Sequence, residues 1–472
     1  MVIPERLQPL VDETGDITAR FERAGHRIYL VGGVVRDAIL GRLSDAADLD
    51  FTTDAKPEET LRLLDGWADA VWTQGQRFGT IGARKGDRNL EITTHRAEAY
   101  QPDSRKPDVA FADAVEADLA RRDFTVNAMA LRLPDAALVD PFDGVGDLAA
   151  HRLRTPLSPE ESFSDDPLRM LRAARFLAGY RLVPDPEVVQ AVEAMRARLE
   201  IVSGERIRDE LDKLMVVEQP ADGIWFLVRT GLAEEFLPEL PGLALEQDPV
   251  HRHKDVLAHS IAVVEQTPPD RILRLAALFH DVGKPKTRSI GPGGVSFHHH
   301  EVVGARMARD RMRALHYANE DVEAVSKLVE LHLRFHGYGE NGEWTDSAVR
   351  RYVRDAGPLL DRLNLLTRAD CTSRNKAKAV ALATRMDHLE ARIAELRRKE
   401  ELDAIRPDLD GNQVMSMLGL PPGPLVGRAL NHLLELRLEE GPLGADEART
   451  RLEQWWAAQP EAPNPTPNPN PS

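Results

Sequence analysis

Two aspartates separated by one residue, Asp48 and Asp50, are the first candidates for metal-dependent chemistry. The stretch 48–52 alternates polar and apolar residues, which predicts a β-strand. Side chains at i and i+2 of a strand lie on one face, so both carboxylates can bind hard cations together. Glu91, in a second predicted strand over 89–94, offers a third carboxylate. Two Mg²⁺ ions held by shared carboxylates can activate a hydroxyl and stabilise a departing pyrophosphate.

A glycine pair, Gly32 and Gly33, lies between a predicted buried strand over 27–31 and a predicted helix that runs to Leu40. Backbone N–H groups at the N-terminus of a helix favour anions, so this turn can approach a phosphate. Arg36 would meet phosphate oxygens as a permanently charged fork. Taken alone, the glycine pair suits an ordinary tight turn and the aspartates suit a solvated acidic turn. Their combination with Glu91 favours a nucleotide site.

A second set of candidate metal ligands lies in the second half of the chain. It consists of imidazoles and carboxylates that suit a divalent transition metal or Mg²⁺. Its members are His259, His280, Asp281, His300, His332 and Asp370. A single histidine on a helix is usually structural, but an adjacent His-Asp pair with flanking ligands favours a metal site.

The predicted elements that position these residues change in type along the chain. Strand signals precede about residue 156, and helical periodicity dominates after it, so we expect an α+β fold. Predicted helices cover 166–179, 186–199, 204–217, 254–266, 272–280 and 376–399. We predict a first domain over 1–155 that carries the nucleotide site, a helical segment over 156–225 and a helical body with the second metal site over 226–375. A C-terminal helical region over 376–458 and a disordered tail over 459–472, rich in Pro and Asn, complete the chain.

Composition excludes several classes of protein. A chain of 472 residues exceeds one compact domain, and its single cysteine, Cys371, excludes an intramolecular disulfide and a zinc ribbon. No apolar run approaches the ~18 residues that span a bilayer, and residues 1–10 lack the apolar core of a signal peptide. We therefore expect a cytoplasmic protein that contacts no membrane. A net charge of −16 argues against general nucleic-acid binding but permits a local basic face.

Several motifs between residues 28 and 215 together resemble one family. They are GGVVRD (32–37), DLDF (48–51), EITTHR (91–96), YQPDSRKPDVAF (100–111), RRDFTVNAMA (121–130) and DPFDGVGDL (140–148). This series is similar to the class II tRNA nucleotidyltransferases, or CCA-adding enzymes, and their bacterial poly(A) polymerase relatives. The resemblance implies a palm of the polymerase β type with two Mg²⁺ on Asp48 and Asp50. It also implies a nucleotide-binding, ribose-sensing motif at Arg121, Arg122, Asp123 and Asn127.

The segment SDDPLRMLR (164–172) resembles the base-selecting motif of the family, usually Glu-Asp-x-x-Arg. Asp165 stands where Glu is usual, whereas Asp166 and Arg169 match. A carboxylate and a guanidinium can pair with the amine and ring nitrogen of cytosine or adenine, and uracil and guanine show the opposite pattern. The resemblance adds Arg172 and Arg175 to the nucleotide-binding residues. The alternative is that Asp166 only caps a helix and Arg169 is a surface partner.

The second ligand series resembles the HD phosphohydrolase superfamily. The resemblance implies that His259, His280, Asp281 and Asp370 hold a divalent metal of unknown identity, with His300 and His332 as additional ligands. A metal that polarises a water would support phosphoester hydrolysis.

The predicted helix over 376–399 carries a basic residue every seven positions. Lys378, Arg385, Arg392 and Lys399 form this basic stripe beside an apolar seam, where they could contact an RNA backbone. Charge reversal at Arg385 and Arg392 should then weaken tRNA binding. The alternative is a solvated helix edge with pairs such as Glu395 with Lys399. The segment 408–435 resembles a C-terminal module of bacterial family members and predicts either RNA binding or a homodimer contact.

The resemblance implies an enzyme that adds CMP and AMP from CTP and ATP to the 3′ end of tRNA, with an additional HD phosphohydrolase site. One alternative is a poly(A) polymerase, since no motif distinguishes it from a CCA-adding enzyme. A second alternative is a protein that is chiefly an HD phosphohydrolase.

Overall fold

The computed structural model describes residues 6–43, 48–99, 108–245, 255–291, 294–337, 344–371, 376–400 and 405–461. The predicted tail therefore lies outside the described residues beyond position 461. The chain divides into two compact units, Met1–Ala244 with Ala314–Tyr317, and Leu245–Arg313 with Ala318–Ser472. The predicted boundaries at 155, 225, 375 and 458 stay predictions.

The first unit is built on a mixed seven-stranded sheet, in the order β3-β4-β5-β2-β1-β8-β9. Neighbouring strands run antiparallel except β2 and β5, which run parallel. The strands of this sheet are β1 (Ile28–Val31), β2 (Leu49–Thr53), β3 (Ala70–Trp72), β4 (Thr80–Lys85), β5 (Arg88–Thr94), β8 (Ala130–Arg132) and β9 (Ala137–Val139). Two separate strand pairs in the same unit are β6 (Arg96–Ala99) with β7 (Asp108–Phe111) and β10 (Arg152–Leu153) with β11 (Val183–Pro184). The second unit contains the pair β12 (Ser289–Gly291) and β13 (Gly294–Ser296). The three predicted strands are confirmed as β1, β2 and β5.

The two faces of this sheet differ in polarity because side chains alternate along each strand. Leu49, Phe51, Ile81, Ala83, Leu90 and Ile92 are buried on one face. Asp50, Arg84, Asn89 and Glu91 lie on the other face, where they are half-buried or exposed. We call this second side the open face. It carries the predicted catalytic carboxylates.

Helices complete the first unit and dominate the second. In the first unit they are α1 (Gln8–Glu13), α2 (Gly15–Arg23), α3 (Gly33–Leu40), α4 (Pro57–Leu64), α5 (Val115–Ala120), α6 (Gly144–Ala149), α7 (Pro159–Asp165), α8 (Leu168–Tyr180), α9 (Pro186–Met195), α10 (Gly204–Met215), α11 (Ala221–Arg229) and α12 (Leu232–Phe236). From residue 256 onward they are α13 (Val256–Gln266), α14 (Arg271–Phe279), α15 (Lys284–Thr287), α16 (His300–Ala314), α17 (Asn319–Leu331), α18 (Arg334–Gly337), α19 (Asp346–Ala356), α20 (Leu360–Asp370), α21 (Lys376–Lys399), α22 (Gly411–Leu418), α23 (Pro424–Glu440) and α24 (Ala445–Ala457). The α+β fold class is confirmed.

One predicted helix begins later than expected. The prediction was a helix over 166–179, but α8 starts at Leu168, and Asp166 has the extended conformation that separates α7 from α8. The physical reason is Pro167, which disfavours helical geometry at the residue before it. The other predicted helices appear as α9, α10, α13, α14 and α21, but α9 ends at Met195 instead of residue 199, and a 3-10 helix over Arg196–Ile201 follows it. Within the described ranges, no helix has the length and apolar character needed to cross a bilayer.

Candidate active site and histidine cluster

Three carboxylates lie together on the open face of the sheet. Asp50 on β2 is in register with Glu91 on the neighbouring β5, and Asp48 directly precedes β2. Asn89 Nδ2 donates to Asp48 Oδ1 at 3.3 Å. Burial raises the pKa of Asp50 to about 6, Arg122 opposes this rise, and the charges of Glu91 and Asp48 add to it.

The donor set of these carboxylates fits hard divalent cations. Oxygen ligands are those that Mg²⁺ prefers, and the raised pKa of Asp50 shows that the carboxylate charge lacks compensation within the protein. A bound cation would supply that compensation. Asp48, Asp50 and Glu91 would hold it.

Gly32 allows an arginine to approach the carboxylates. It connects β1 to α3 with a φ of +73°, a value that favours glycine. A Cβ at this position would lie 2.8 Å from Arg122 Nη1 and 3.9 Å from Asp50 Oδ2. The Gly32–Gly33 turn therefore serves close packing between Arg122 and Asp50.

Arg36 is 5% exposed and engaged by other side chains. Its guanidinium donates to both carboxylate oxygens of Asp37, each at 2.9 Å, and to Asn127 Oδ1 and the Tyr180 hydroxyl. It also lies 4.1 Å from the centre of the Tyr180 ring. In this position Arg36 fixes Asn127, and its predicted contact with phosphate stays a prediction.

A cavity of about 280 Å³ is lined by most of the predicted nucleotide-binding residues. Its lining residues are Arg121, Arg122, Asp123, Asp166, Leu168, Arg169, Arg172 and Arg206. Five arginines face two aspartates, so the lining carries a net positive charge that suits a triphosphate. Because Arg122 also approaches Asp50, the cavity adjoins the three carboxylates.

Asp123 holds Arg172 in this cavity. Its Oδ1 accepts from Phe124 N and Asn127 Nδ2, both at 2.9 Å, and its Oδ2 accepts from Arg172 Nε at 2.8 Å and Nη2 at 2.6 Å. Burial would raise the pKa of Asp123, but the charge of Arg172 and the hydrogen bond from Asn127 hold it well below its ordinary value. With four hydrogen bonds accepted, direct contact of Asp123 with a ribose hydroxyl stays a prediction.

Two buried acids that position arginines were not predicted from the sequence. Glu210 on α10 accepts from Arg175 Nε at 2.7 Å and from Arg172 Nη1 at 3.4 Å. Asp118 on α5 lies 3.5 Å from Arg121 Nε and 3.4 Å from Arg122 Nη2. The spacing of Asp118 to these arginines, i to i+3 and i+4, was a usable signal. The Glu210 contacts join two helices and leave no signal in a single sequence.

Asp166 and Arg169 both line the cavity, but their side chains do not pair with each other. Asp166 precedes α8, whereas Arg169 lies on this helix. Asp166 Oδ1 accepts from Leu168 N at 3.2 Å, and its Oδ2 accepts from Arg206 Nη2 at 2.7 Å. Asp166 therefore caps α8, as the alternative interpretation held. The same interpretation made Arg169 a surface partner, but it is buried.

Arg169 is fixed by three acceptors. Its Nη1 donates to Ser162 O at 3.2 Å and to Ser162 Oγ at 2.9 Å, and its Nη2 donates to Arg121 O at 2.5 Å. These contacts hold the guanidinium against the cavity wall. Rigid donors and acceptors are what a base-reading site needs.

The second unit brings all six predicted histidine and aspartate ligands into one cluster. The ligand atoms form two groups, each with its atoms within 4.8 Å of one another: His259, His280 and Asp370, and Asp281, His300 and His332. Asp281 and Asp370 lie between the imidazoles. His259 Nε2 is 2.9 Å from Asp370 Oδ1, and His300 Nε2 is 3.5 Å from Asp281 Oδ1.

Backbone contacts set the orientation of three of these imidazoles. The Nδ1 atoms of His280, His300 and His332 lie 2.7, 2.8 and 2.7 Å from the carbonyl oxygens of Ala277, Phe297 and Val329, respectively. Their Nε2 atoms are buried and make no hydrogen bond of good geometry among the described residues. His280 Nε2 instead faces Asp281 Oδ2 at 3.3 Å and Asp370 Oδ1 at 3.5 Å. A donating Nδ1 leaves Nε2 as a free acceptor, which is how histidine binds a metal. The cluster fits a divalent cation.

Electrostatics within the cluster favour a positive charge. Burial would raise the pKa of Asp281, but His280 and Lys284 hold it well below its ordinary value. Burial would lower the pKa of His280, but Asp281 and Asp370 together raise it to about 10. Buried Asp281 and half-buried Asp370 thus stabilise a proton on the imidazole of His280, and a bound metal cation could supply the same positive charge.

Two residues of the basic stripe on α21 pair with acids within the second unit. Arg392 pairs with Asp346 and Glu395, and Lys399 Nζ lies 2.6 Å from Glu395. Arg385 lies 5.1 Å from the centre of the Phe335 ring, and the side chain of Lys378 is outside the described residues. RNA contact by this stripe stays a prediction.

The carboxylates for cations lie on or next to the strands β2 and β5, and the arginines for phosphates lie on α8, on α10 and directly after α5. Together they define a nucleotidyltransferase of the polymerase palm class. Residues 28–154 match the poly A polymerase head domain, 182–243 match the probable RNA and SrmB-binding site of polymerase A, and 256–375 match the HD domain. The chain belongs to the family of tRNA nucleotidyltransferases and poly(A) polymerases that carry an HD domain, and it is an enzyme of that family.

Two curated relatives match over nearly the whole chain, and a third matches over about half of it. The A-adding tRNA nucleotidyltransferase of Deinococcus radiodurans is 34% identical over 441 residues, which are 90% of this chain and 95% of that protein. The CC-adding tRNA nucleotidyltransferase of Thermus thermophilus is 33% identical over 464 residues, 93% and 96% of the two chains. The CCA-adding enzyme of Limosilactobacillus reuteri is 36% identical over 229 residues, 48% of this chain and 55% of that enzyme.

A solved structure shares the fold. The Bacillus stearothermophilus CCA-adding enzyme in complex with CTP superimposes with a TM-score of 0.67 at 22% identity, covering 96% of this chain and 98% of that one.

Proposed function

We propose that this enzyme adds CMP and AMP, from CTP and ATP, to the 3′ end of tRNA and thereby completes the CCA end. The observation that carries the proposal is the position of Asp166 and Arg169, fixed on the wall of an arginine-lined cavity that adjoins three carboxylates. The full-length relatives named for adding A and CC to tRNA support the class of substrate.

The two wall residues can select bases by hydrogen-bond polarity. Asp166 uses one oxygen for Leu168 N and the other for Arg206, and each oxygen retains a lone pair for an exocyclic amine. Arg169 can donate to the ring nitrogen of the same base. Cytosine and adenine present this amine and acceptor, whereas uracil and guanine present the reverse. The pair therefore accepts CTP and ATP and disfavours UTP and GTP.

The remaining groups bind the triphosphate and the reacting end. Arg122 lies beside Asp50, where it can neutralise phosphate oxygens close to the carboxylates. Arg172, fixed by Asp123 and Glu210, adds a second immobile cation to the cavity. Two Mg²⁺ held by Asp48, Asp50 and Glu91 would activate the terminal ribose hydroxyl and stabilise the departing pyrophosphate.

Sequencing of reaction products tests the proposal. The full-length protein with Mg²⁺, CTP and ATP receives tRNA without CCA, tRNA ending in CC, or an unstructured RNA. Addition of CCA to the first tRNA, and no addition to unstructured RNA, is the expected result. Addition of only CC to the first tRNA, or of only A to the second, would restrict the enzyme to part of the trinucleotide. Long A tails on every RNA would instead indicate a poly(A) polymerase.

Replacing Asp166 by Asn is expected to relax base selection. An amide can donate where the carboxylate could only accept, so it tolerates the O4 oxygen of uracil. We expect the preference for CTP over UTP, measured as the ratio of kcat/KM values, to fall about 5- to 100-fold, the effect of one misplaced base contact. Glu160→Gln on the exposed surface of α7 is the matched control. An unchanged ratio in Asp166→Asn would remove this residue from base selection.

A second function, metal-dependent phosphohydrolysis, is favoured by the histidine cluster of the second unit. We infer that His259, His280, Asp281 and Asp370 bind the metal, with His300 and His332 as further ligands. The supporting observation is the set of three buried Nε2 atoms that make no hydrogen bond of good geometry among the described residues. A bound metal would polarise a water for attack on a phosphoester.

A further inference from the structure

An exposed aromatic side chain lies on the open face and has no role in the reaction as proposed. Trp72 belongs to β3, the outermost strand of the sheet, and it is 38% exposed. Trp72 is in register with Gly82, Gly82 with Glu91, and Glu91 with Asp50. Residues in register on neighbouring strands share a face, so the indole and the catalytic carboxylates form one row across the sheet. With strands about 4.8 Å apart, β3 lies roughly 14 Å from β2.

The indole of Trp72 lies over Gly82. A methyl group at Gly82 would overlap Nε1, Cε2 and Cδ1 of the indole, so the ring covers the β4 backbone on the side of Glu91. Because the indole covers it, Gly82 is buried, although Arg84, the next residue of β4 on the same face, is exposed. The ring is supported from below by the sheet and remains accessible from above. This is the arrangement of a stacking platform.

Trp72 and the nucleotide cavity lie on opposite sides of the carboxylates. Gly32 and Arg122 approach Asp50 from the side of β1, whereas Glu91 and Trp72 lie on the side of β5, β4 and β3. In phosphoryl transfer the attacking and leaving oxygens stand roughly in line across the phosphorus. An RNA whose terminal hydroxyl attacks a triphosphate in the cavity therefore arrives from the side of Trp72.

The charge beside Trp72 suits a nucleic acid. Arg84 lies two residues after Gly82 on β4, so its side chain shares the open face, and it is exposed. Asp69, just before β3, lies close enough for the charge of Arg84 to contribute to lowering its pKa, and Arg84 remains accessible to a phosphate. An exposed aromatic ring next to a cation is the usual combination for single-stranded RNA, where bases stack and phosphates are neutralised.

We propose that Trp72 binds the RNA substrate by stacking against a base near its 3′ end, with Arg84 near the adjoining phosphate. The ligand is the RNA primer, because the incoming nucleotide occupies the other side of the carboxylates. This inference rests on the proposed function in that it takes an RNA 3′ end as the substrate.

The test separates RNA binding from nucleotide binding. We expect Trp72→Ala to raise the Kd for tRNA lacking CCA, measured by fluorescence anisotropy without nucleotide, about 5- to 100-fold, the range for loss of one stacked base. The KM for CTP and the kcat at saturating tRNA should change less than about twofold. Trp72→Phe keeps an aromatic ring and should restore most of the affinity. Val71→Ala alters the adjacent residue, which is 40% exposed, and should leave Kd unchanged.

A second variant tests the geometry. Gly82→Ala places its methyl group in the space of the indole, so it should weaken tRNA binding in the wild-type background. In the Trp72→Ala background it should have no further effect. An unchanged Kd in folded Trp72→Ala would overturn the inference, and so would equal effects of Gly82→Ala in both backgrounds. A rise in the KM for CTP alone would assign the indole to the nucleotide. Absence of nucleotide addition by the wild type would refute the proposed function, while the anisotropy result would still decide the role of Trp72.

Discussion

The variant Asp50→Asn is expected to lose at least about 10³-fold in the rate of nucleotide addition, while the metal-free protein becomes more stable. The rate loss follows because an amide is a poor ligand for Mg²⁺, and cation stabilisation of charge at phosphorus contributes several kcal/mol. Single-turnover addition of CMP to tRNA lacking CCA measures this loss. Binding of the tRNA itself should be unaffected.

The gain in stability follows from the pKa of Asp50, which burial raises to about 6 from an ordinary value of 3.8. Because the folded state holds this proton more tightly than the unfolded state, ionisation of Asp50 opposes folding. Each unit of pKa difference between the folded and unfolded states corresponds to about 1.4 kcal/mol, so ionised Asp50 lowers the free energy of unfolding by about 3 kcal/mol above pH 6. This loss of stability disappears as the pH falls toward 4. Asp50→Asn removes this cost. Its advantage in free energy of unfolding should thus be largest at pH 7 to 8 in EDTA and absent near pH 4.

Two controls belong to this experiment. Asp87→Asn, at the exposed turn between β4 and β5, removes a carboxylate distant from the cluster and should change neither property. Saturating Mg²⁺ should stabilise the wild type more than Asp50→Asn, because the cation compensates the ionised cluster. A metal-free Asp50→Asn protein that is less stable than the wild type at pH 7 would show that the carboxylate serves the fold instead of a cation.

The parts of the site that local pattern encodes could be predicted from the sequence. The Asp48 and Asp50 pair depends on strand alternation, and Gly32 depends on a strand, turn and helix that follow one another directly. These features need only a few consecutive residues, and the structure places them as expected. The exact start of α8 was missed because Pro167 acts on the conformation of the residue before it.

Contacts between distant elements could not be predicted in this way. Glu210 meets Arg172 only because α10 packs against α8, and periodicity along either helix carries no record of the other. Trp72 lies in line with the proposed catalytic carboxylates because of the strand order β3-β4-β5-β2, in which β2 pairs with a strand far along the chain. The sequence alone shows only a tryptophan at this position. The basic stripe is the opposite case. The sequence around Arg392 does not reveal Asp346, which lies on another helix and pairs with it in the structure.

The histidine cluster leads to the second large expected effect. Asp281→Ala should abolish binding of divalent metal to the second unit and any phosphodiester hydrolysis, and it should leave nucleotide addition within about twofold of the wild type. Asp281 is buried at the centre of the cluster, next to His280 and His300, so its loss removes a ligand and leaves imidazoles without their carboxylate. Metal content by elemental analysis and hydrolysis of bis(p-nitrophenyl) phosphate measure the two losses.

Proton release gives this prediction a readout that does not depend on hydrolysis. Asp281 and Asp370 together raise the pKa of His280 to about 10, so the metal-free protein holds a proton there at pH 7 to 8. A metal can bind only neutral imidazole, so binding must release protons, and affinity should rise with pH. Titration calorimetry in buffers of different ionisation enthalpy counts these protons. His388→Ala, an exposed histidine on α21, is the matched control and should retain both metal and proton release.

The two variants together decide how the activities are divided. Asp50→Asn should lose addition and keep hydrolysis, and Asp281→Ala should do the reverse, because the two sets of ligands share no residue. Hydrolysis by a protein that adds no nucleotide to any RNA would make the phosphohydrolase the main activity. Metal bound by Asp281→Ala as tightly as by the wild type would remove this cluster as a metal site. Metal binding with proton release but no hydrolysis would make the cluster structural, because a closed ligand set stabilises a fold without activating water.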